Sequence, residues 1–328
     1  KFTDGKTDDK LIMISANPKW GYESTTGGFN CSISCDEGEN WSEFELFYDK
    51  NSDGGVVPIV AMASLTQLKE NGKFVDKWMG FFHDADFYNY KTILTFDENG
   101  NMHWSKPEKY FSKYRDIEKE TNMCEVEVIR SDEGKGDELC LISRSNSKKE
   151  NSLLSFSTDE GETWSKPVYA PAALNGERHK ADYTPDGRLF ITFRSIERGQ
   201  KAAANAPVGN RNGWMSEGWV AWVGTYEDLK NQTEGQYRIK LAHTYLKLQQ
   251  NKDYAANGDT GYCGNVVLSD GTIVTTSYGC FDNTDFIKGL DFRTSIASKR
   301  INLSDIDELA AWLETQPKAE ESKPVLGC

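Results

Sequence analysis

Apolar and polar residues alternate through most of this chain in short runs broken by polar turns, the two-residue period of half-buried β-strands. Leu11 to Ser15, Phe29 to Ser34 and Phe44 to Tyr48 make one set of predicted strands. Ile59 to Leu68, Trp78 to His83 and Thr92 to Phe96 make a second, and a third runs through Cys124 to Arg130, Leu139 to Ser143, Leu153 to Ser157 and the strand after Trp164. The fourth contains His179 to Tyr183, Leu189 to Arg194, Trp219 to Tyr226 and Tyr237 to His243; the fifth contains Val266 to Leu268, Thr272 to Tyr278 and Thr294 to Arg300. Asp186-Gly187 and Asp270-Gly271 fall between apolar runs as hairpin turns do. Strand sets recurring at a spacing of about fifty residues predict an all-β fold of repeated small sheets. Two stretches break the rhythm. Residues 199–216 are polar and rich in small side chains, as expected of a long mobile loop. Ser304, followed by Asp305, Asp307 and Glu308 and then Leu309, Trp312 and Leu313, predicts a short N-capped helix, with a charged tail beyond Pro317. The expected organisation is one sheet-built domain over 1–303 and a helix with tail over 304–328.

Within this alternation one octet occurs twice. Ser34, Asp36, Gly38 and Trp41 match Ser157, Asp159, Gly161 and Trp164 in the pattern Ser-x-Asp-x-Gly-x-x-Trp, and Thr95, Asp97, Gly100 and Trp104 form a longer, imperfect copy. Asp accepts backbone amide hydrogens two residues on, Gly supplies a positive φ, and Trp packs beneath the next strand. The octet therefore reads as a corner that staples two strands, without contact to substrate. It resembles the Asp-box of sialidases and other BNR-repeat β-propellers. That resemblance implies a β-propeller of the sialidase type, with five or six four-stranded blades.

Charge and cysteine content narrow the partners. A formal charge of −13 repels phosphate backbones, so nucleic acid is not an expected partner. No apolar run reaches the length of a membrane span. Nine Trp and fourteen Tyr suit both inter-blade packing and stacking on sugars. The seven cysteines form no C-x-x-C pair; Cys124 with Cys140 and Cys263 with Cys280 fall on opposite arms of predicted hairpins, and buried free thiols are the simpler expectation. His83, His103, His179 and His243 show no ligand spacing, so neither metal nor cofactor is expected. A secreted or periplasmic monomer whose signal peptide has been removed is the expected setting.

The candidate chemistry lies where innermost strands of a propeller would converge. Gly261-Tyr262-Cys263 looks like the sialidase segment that carries a nucleophilic tyrosine. A phenol titrates near 10 and needs a base beside it. Glu125, in Cys124-Glu125-Val126, stands where the family's catalytic glutamate begins a blade that continues through Arg144 to the Trp164 corner. Arg144 ends an apolar strand as the family's carboxylate-binding arginine does, and a guanidinium fits a carboxylate edge-on. Asp84 and Asp86 lie where the family places its general acid, although either also suits a turn. The family's Arg-Ile-Pro is Val56-Val57-Pro58 here and its Tyr-Glu is Tyr278-Gly279, so part of the anion clamp has gone. Arg178 and Arg194, with Arg144, are expected to rebuild it, with His83 and His179 beside them at the axis. The resemblance implies a sialidase-like exo-glycosidase removing a terminal acidic sugar such as sialic acid from glycans, by a retaining route through Tyr262. A glycosidase for another terminal sugar, or a non-catalytic carbohydrate-binding propeller, are the alternatives.

Overall fold

The computed structural model of the chain describes residues 10–16, 28–49, 56, 58–59, 64–147, 150–197, 215–244, 247–248, 255–256, 260–279, 281 and 294–316. Most of the expected loop at 199–216, together with Cys280 and the tail from Pro317, lies outside the described residues. The fold is a five-bladed β-propeller. The first blade is β1 (Leu11–Ala16), β2 (Gly28–Ser34) and β3 (Glu45–Asp49). The second is β4 (Leu65–Glu70), β5 (Lys73–His83), β6 (Asn89–Phe96) and β7 (Met102–Trp104), with β8 (Glu108–Lys109) also paired to β6.

Helix α1 (Arg115–Thr121) leads into the third blade, β9 (Met123–Arg130), β10 (Leu139–Ser145), β11 (Leu153–Ser157) and β12 (Val168–Tyr169). The fourth is β13 (Gly176–Tyr183), β14 (Leu189–Glu197), β15 (Met215–Gly224) and β16 (Tyr237–Ala242), with α2 (Tyr226–Asn231) between its last two strands. A two-residue ribbon, β17 (Lys247–Leu248) with β18 (Ala255–Ala256), precedes the fifth blade, β19 (Thr260–Val267), β20 (Ile273–Gly279) and β21 (Ser295–Ile301). Helix α3 (Leu303–Thr315) follows. Among the described residues the third and fourth blades have the four strands expected of every blade, the second has these four and β8 besides, and the first and fifth have three.

Blades are held by apolar layers between neighbouring sheets. Phe29, Cys31, Phe82 and Tyr90 join the first two blades; Met79, Phe81, Val128 and Leu141 join the second and third. Ile142, Leu154, Ile191 and Trp222 join the third and fourth, and Phe190, Trp219, Val223 and Ile273 the fourth and fifth. Trp219 and Trp222 are fully buried on opposite faces of β15, so one strand anchors two layers. Burial of side chains this large supplies about 1.5–3 kcal/mol or more apiece.

The repeated octets form the expected corners. The Ser34 hydroxyl donates to Asp36 Oδ1 at 2.8 Å and accepts from Gly38 N at 2.8 Å. Ser157, Asp159 and Gly161 repeat this at 2.8 and 2.9 Å. Trp164 is buried against Phe81, Tyr110 and Phe111. Asp97 likewise accepts from Asn99 N and Asn101 N at 2.8 and 2.9 Å, so the longer third copy keeps the aspartate turn.

Three local expectations need correction. Asn302, not Ser304, caps α3: its Oδ1 accepts from Ser304 N at 3.2 Å, since the cap residue precedes the amide it satisfies. Tyr262 lies inside β19 rather than before the inner strand, and β13 starts at Gly176 rather than His179. In both strands a register shift near the start interrupts the alternation that would mark a strand. Cys124 and Cys140 are both buried free thiols; Cys124 faces Arg144 and Cys140 faces Ile129, at opposite ends of the β9–β10 ladder.

Candidate active site

Strands β9, β13 and β19 lie side by side as the innermost strands of three successive blades. Each carries a bulge near its start, where pairing with the second strand slips. The third residue of each strand occupies the bulge with left-handed backbone: Glu125 at φ 45, Arg178 at φ 62 and Tyr262 at φ 46. Non-glycine residues adopt this conformation at a cost of about 1–3 kcal/mol each, and bulges re-aim the side chain they carry. Three blades thus turn a glutamate, an arginine and a tyrosine from distant sequence toward one point.

The Tyr262 hydroxyl donates to Glu125 Oε1. Glu125 is 8% exposed while Tyr262 is 43% exposed, so the ring borders the open mouth and the hydroxyl reaches inward. Arg144 Nη1 donates to Glu125 Oε2 at 2.5 Å and its Nη2 to Asn146 Oδ1 at 2.6 Å. Arg178 lays its guanidinium 4.4 Å from the centre of the Tyr262 ring, places Nε 3.8 Å from Glu125 Oε1, and donates through Nη1 to the Tyr278 hydroxyl. A Cβ on residue 261 would lie 2.6 Å from Arg178 Cδ, so Gly261, at φ +136, leaves the space in which Arg178 stacks.

Burial alone would raise the Glu125 carboxyl, but Arg144, Arg178 and the Tyr262 hydroxyl overcome it and hold the group down at about 2. The Tyr262 phenol moves the opposite way: burial and the Glu125 charge push it well above its ordinary value, with Arg178 and Arg144 opposing. At rest the pair is therefore a neutral phenol donating to a carboxylate. Tyrosinate formation needs positive charge to develop beside the oxygen.

A wholly buried Glu177 extends this network. Its Oε1 lies 3.3 Å from Arg144 Nε and its Oε2 accepts from Arg194 Nη2, joining Tyr262, Glu125, Arg144, Glu177 and Arg194 in one chain. The two arginines outweigh burial and hold the Glu177 carboxyl below the usual range. Glu177 was not among the residues expected from sequence; a carboxylate directly before Arg178 in a strand is its signal. Tyr278, noted for lacking the glutamate after it, serves as Arg178's partner.

The remaining candidates divide by place. Asp84 is committed to its turn: Oδ1 accepts from Asp86 N at 3.0 Å and Tyr88 N at 2.9 Å, and Oδ2 from the Tyr90 hydroxyl at 3.1 Å. Asp86 is exposed, and its backbone carbonyl is held by Arg115 Nη2 at 2.9 Å. His83 ends β5 beside them, buried and stacked on Phe87. His179 is buried away from the mouth: Nε2 donates to the Leu174 carbonyl at 2.9 Å, the ring stacks on Phe193, and burial lowers its pKa to about 4. Val56 packs in the apolar layer of the first two blades, where an arginine would have no such partner. Among the described residues no three His, Cys, Asp or Glu side chains are grouped to hold a metal ion. No described helix is long and apolar enough to cross a membrane.

Two cavities, of 650 and 310 Å³, lie elsewhere. They are lined by Ser131, Tyr183 and Tyr226 and by Thr184, Arg188 and Asp307, at the hairpin ends of the inner strands, opposite the Tyr262–Glu125 mouth. The mouth is recognised by its converging side chains.

No protein-family model and no curated protein matches the sequence. Solved structures do. A protein of unknown function from Dyadobacter fermentans is 14% identical, with 89% of this chain covering 72% of that one at a TM-score of 0.54. The leech intramolecular trans-sialidase, solved with 2,7-anhydro-Neu5Ac, is 13% identical over 87% of this chain at a TM-score of 0.52. The GH93 α-L-arabinofuranosidase of Fusarium graminearum is 10% identical over 93% of this chain and 92% of its own, at 0.46. This chain spans 37% of the leech enzyme's length. The chain is therefore similar in fold to the leech trans-sialidase.

Proposed function

We propose that this protein is a retaining exo-glycosidase that removes a terminal sugar from a glycan, an acidic sugar such as sialic acid being the first choice. The observation that carries the reading is the hydrogen bond from the Tyr262 hydroxyl to Glu125, made by two bulged residues of separate blades. In this mechanism Tyr262 Oη attacks the anomeric carbon as the glycosidic bond breaks, and Glu125 accepts the phenolic proton. Positive charge building on the sugar ring lowers the cost of that transfer. Asp86, whose partner Asp84 is spent on the turn, protonates the leaving oxygen and then deprotonates the water that releases the sugar from Tyr262. The cationic side chains Arg144, Arg178 and Arg194 supply the field for an acidic substrate. The setting proposed is secreted or periplasmic, with the protein acting as a monomer.

A second reading, a different or neutral terminal sugar, is favoured by the ion pairs of Arg144 and Arg194 with Glu125 and Glu177 and by the apolar setting of Val56. A panel of fluorogenic glycosides that includes a sialoside separates the two. Turnover of one member, abolished in Tyr262→Phe and accompanied by a glycosyl adduct on Tyr262 with a slow fluorosugar, supports the mechanism. A protein that turns over none of the panel yet binds a sugar is a lectin-like propeller.

A further inference from the structure

His83 is placed with an unusual constraint. Its ring ends β5 and is 5% exposed, and its backbone carbonyl accepts from Ile59 N at 3.0 Å. Nδ1 lies 2.9 Å from the carbonyl oxygen of Asp84, and a carbonyl only accepts, so Nδ1 carries the proton. Phe87 stacks on the ring at 5.4 Å with a 4° interplanar angle, which fixes the plane of the imidazole. Burial lowers its pKa, and its ladder partner Asn89 donates through Nδ2 to the Met123 carbonyl at 2.9 Å, which ties this end of β5 to the start of β9, where Glu125 sits. The neutral ring therefore has one lone pair to offer, on Nε2, and no described residue donates to it.

We propose that His83 Nε2 is a specificity-determining hydrogen-bond acceptor that reads a hydroxyl of the sugar bound against Tyr262, and that His83 does not serve as the proton donor. The inference rests on the glycosidase reading above. A locked Nδ1–H tautomer makes the site demand a donor at that point. A substrate position carrying only an acceptor leaves two lone pairs facing each other, a penalty larger than the loss of an ordinary hydrogen bond.

Two measurements test it. Nitrogen resonances of isotope-labelled histidine give the tautomer of His83 without any substrate: protonation of Nδ1 near neutral pH is expected, and protonation of Nε2 would overturn the proposal. The second compares His83→Gln, His83→Phe and wild type on the best glycoside of the panel and on its monodeoxyfluoro analogues, in which fluorine cannot donate. One analogue should lose at least about tenfold in kcat/KM with wild type. That same analogue should lose nothing further with His83→Phe, while His83→Gln, whose amide oxygen accepts, keeps most of the discrimination. Equal discrimination in His83→Phe and wild type would overturn the proposal. Should no glycoside be turned over, the glycosidase reading fails separately. The Nε2 resonance is then titrated with N-acetylneuraminic acid, its 2,7-anhydro derivative and L-arabinose, and a shift with one supports the acceptor role whereas no shift with any removes it.

Discussion

Glu177 and Arg144 meet in a 3.3 Å ion pair between β13 and β10, with Glu177 entirely out of solvent. The pair couples the buried Arg194 to the Arg144 guanidinium that grips Glu125, so one carboxylate sets the position of the proposed base from a neighbouring blade. Removing one partner of a buried charge cluster leaves the others uncompensated, which costs about 3–5 kcal/mol. Glu177→Ala should therefore lower the unfolding free energy obtained from urea melts by an amount of that order, and Glu177→Gln by less. Both should reduce kcat on the best glycoside, because Arg144 loses the contact that orients it.

Tyr262→Phe should behave in the opposite way. Its ring is largely at the mouth, so stability should change by no more than about 1 kcal/mol. Catalysis should fall by about a hundredfold or more in kcat, since neither nucleophile nor proton donor to Glu125 remains. Paired measurement of melting temperature and kcat distinguishes this from a folding defect. Loss of stability equal to that of Glu177→Ala would place Tyr262 in the scaffold.

The parts visible from residue pattern were those set by local periodicity. The alternating run of β2, the short apolar runs of β10, β11 and β14 bounded by turns, and the two Ser-Asp-Gly-Trp corners gave the sheets because strand period, run length and turn chemistry are all local. Glu125 and Tyr262 were reached through family resemblance and Arg178 as a cation that could replace the missing part of the clamp; their positive φ had no local signal, since none is glycine or asparagine, the types that favour that backbone. Glu177 escaped because its role depends on two arginines on two other strands, β10 and β14. That the Asp84 carboxylate accepts the Tyr88 amide was equally out of reach, being a fact of the turn and not of composition.

Acid should weaken the fold through Glu125 in a defined window. Its folded pKa of about 2 lies below the ordinary 4.5, so its contribution is fully present above 4.5 and is lost as pH falls toward 2. The depression corresponds to roughly 3 kcal/mol as an upper limit. Unfolding free energies of wild type should drop between pH 4.5 and 2. Glu125→Gln should show a shallower slope there, while already being less stable at pH 7.

His179 should govern a higher window. Its folded pKa near 4 lies below the ordinary 6.5 because the ring is buried on Phe193, so the unfolded chain binds more protons between these values. Stability should then rise with pH from 4 to 6.5 and be constant in this respect above. His179→Phe, which cannot protonate, should flatten that part of the curve, although loss of the hydrogen bond to Leu174 lowers the plateau. An unchanged slope between 4 and 6.5 would assign the acid sensitivity to another group.

The corner octets predict a stability effect without a catalytic one. Gly161 sits at φ +80, and a Cβ there would stand 2.6 Å from Met79 Cε and 2.8 Å from its Sδ, inside the layer between the second and third blades. Gly72 has a similar φ of +73 but open space around it. Gly72→Ala therefore bears only backbone strain, about 1–2 kcal/mol, whereas Gly161→Ala adds overpacking of about 1–3 kcal/mol. Because the octet lies at the end of β11 remote from the Tyr262 mouth, kcat/KM of the folded protein should match wild type in both variants. Thermal melts of the two alanine variants measure the difference directly. Equal midpoints would mean that Met79 swings aside at no cost, and a loss of kcat/KM in Gly161→Ala alone would show that the corner reaches the site through the blade.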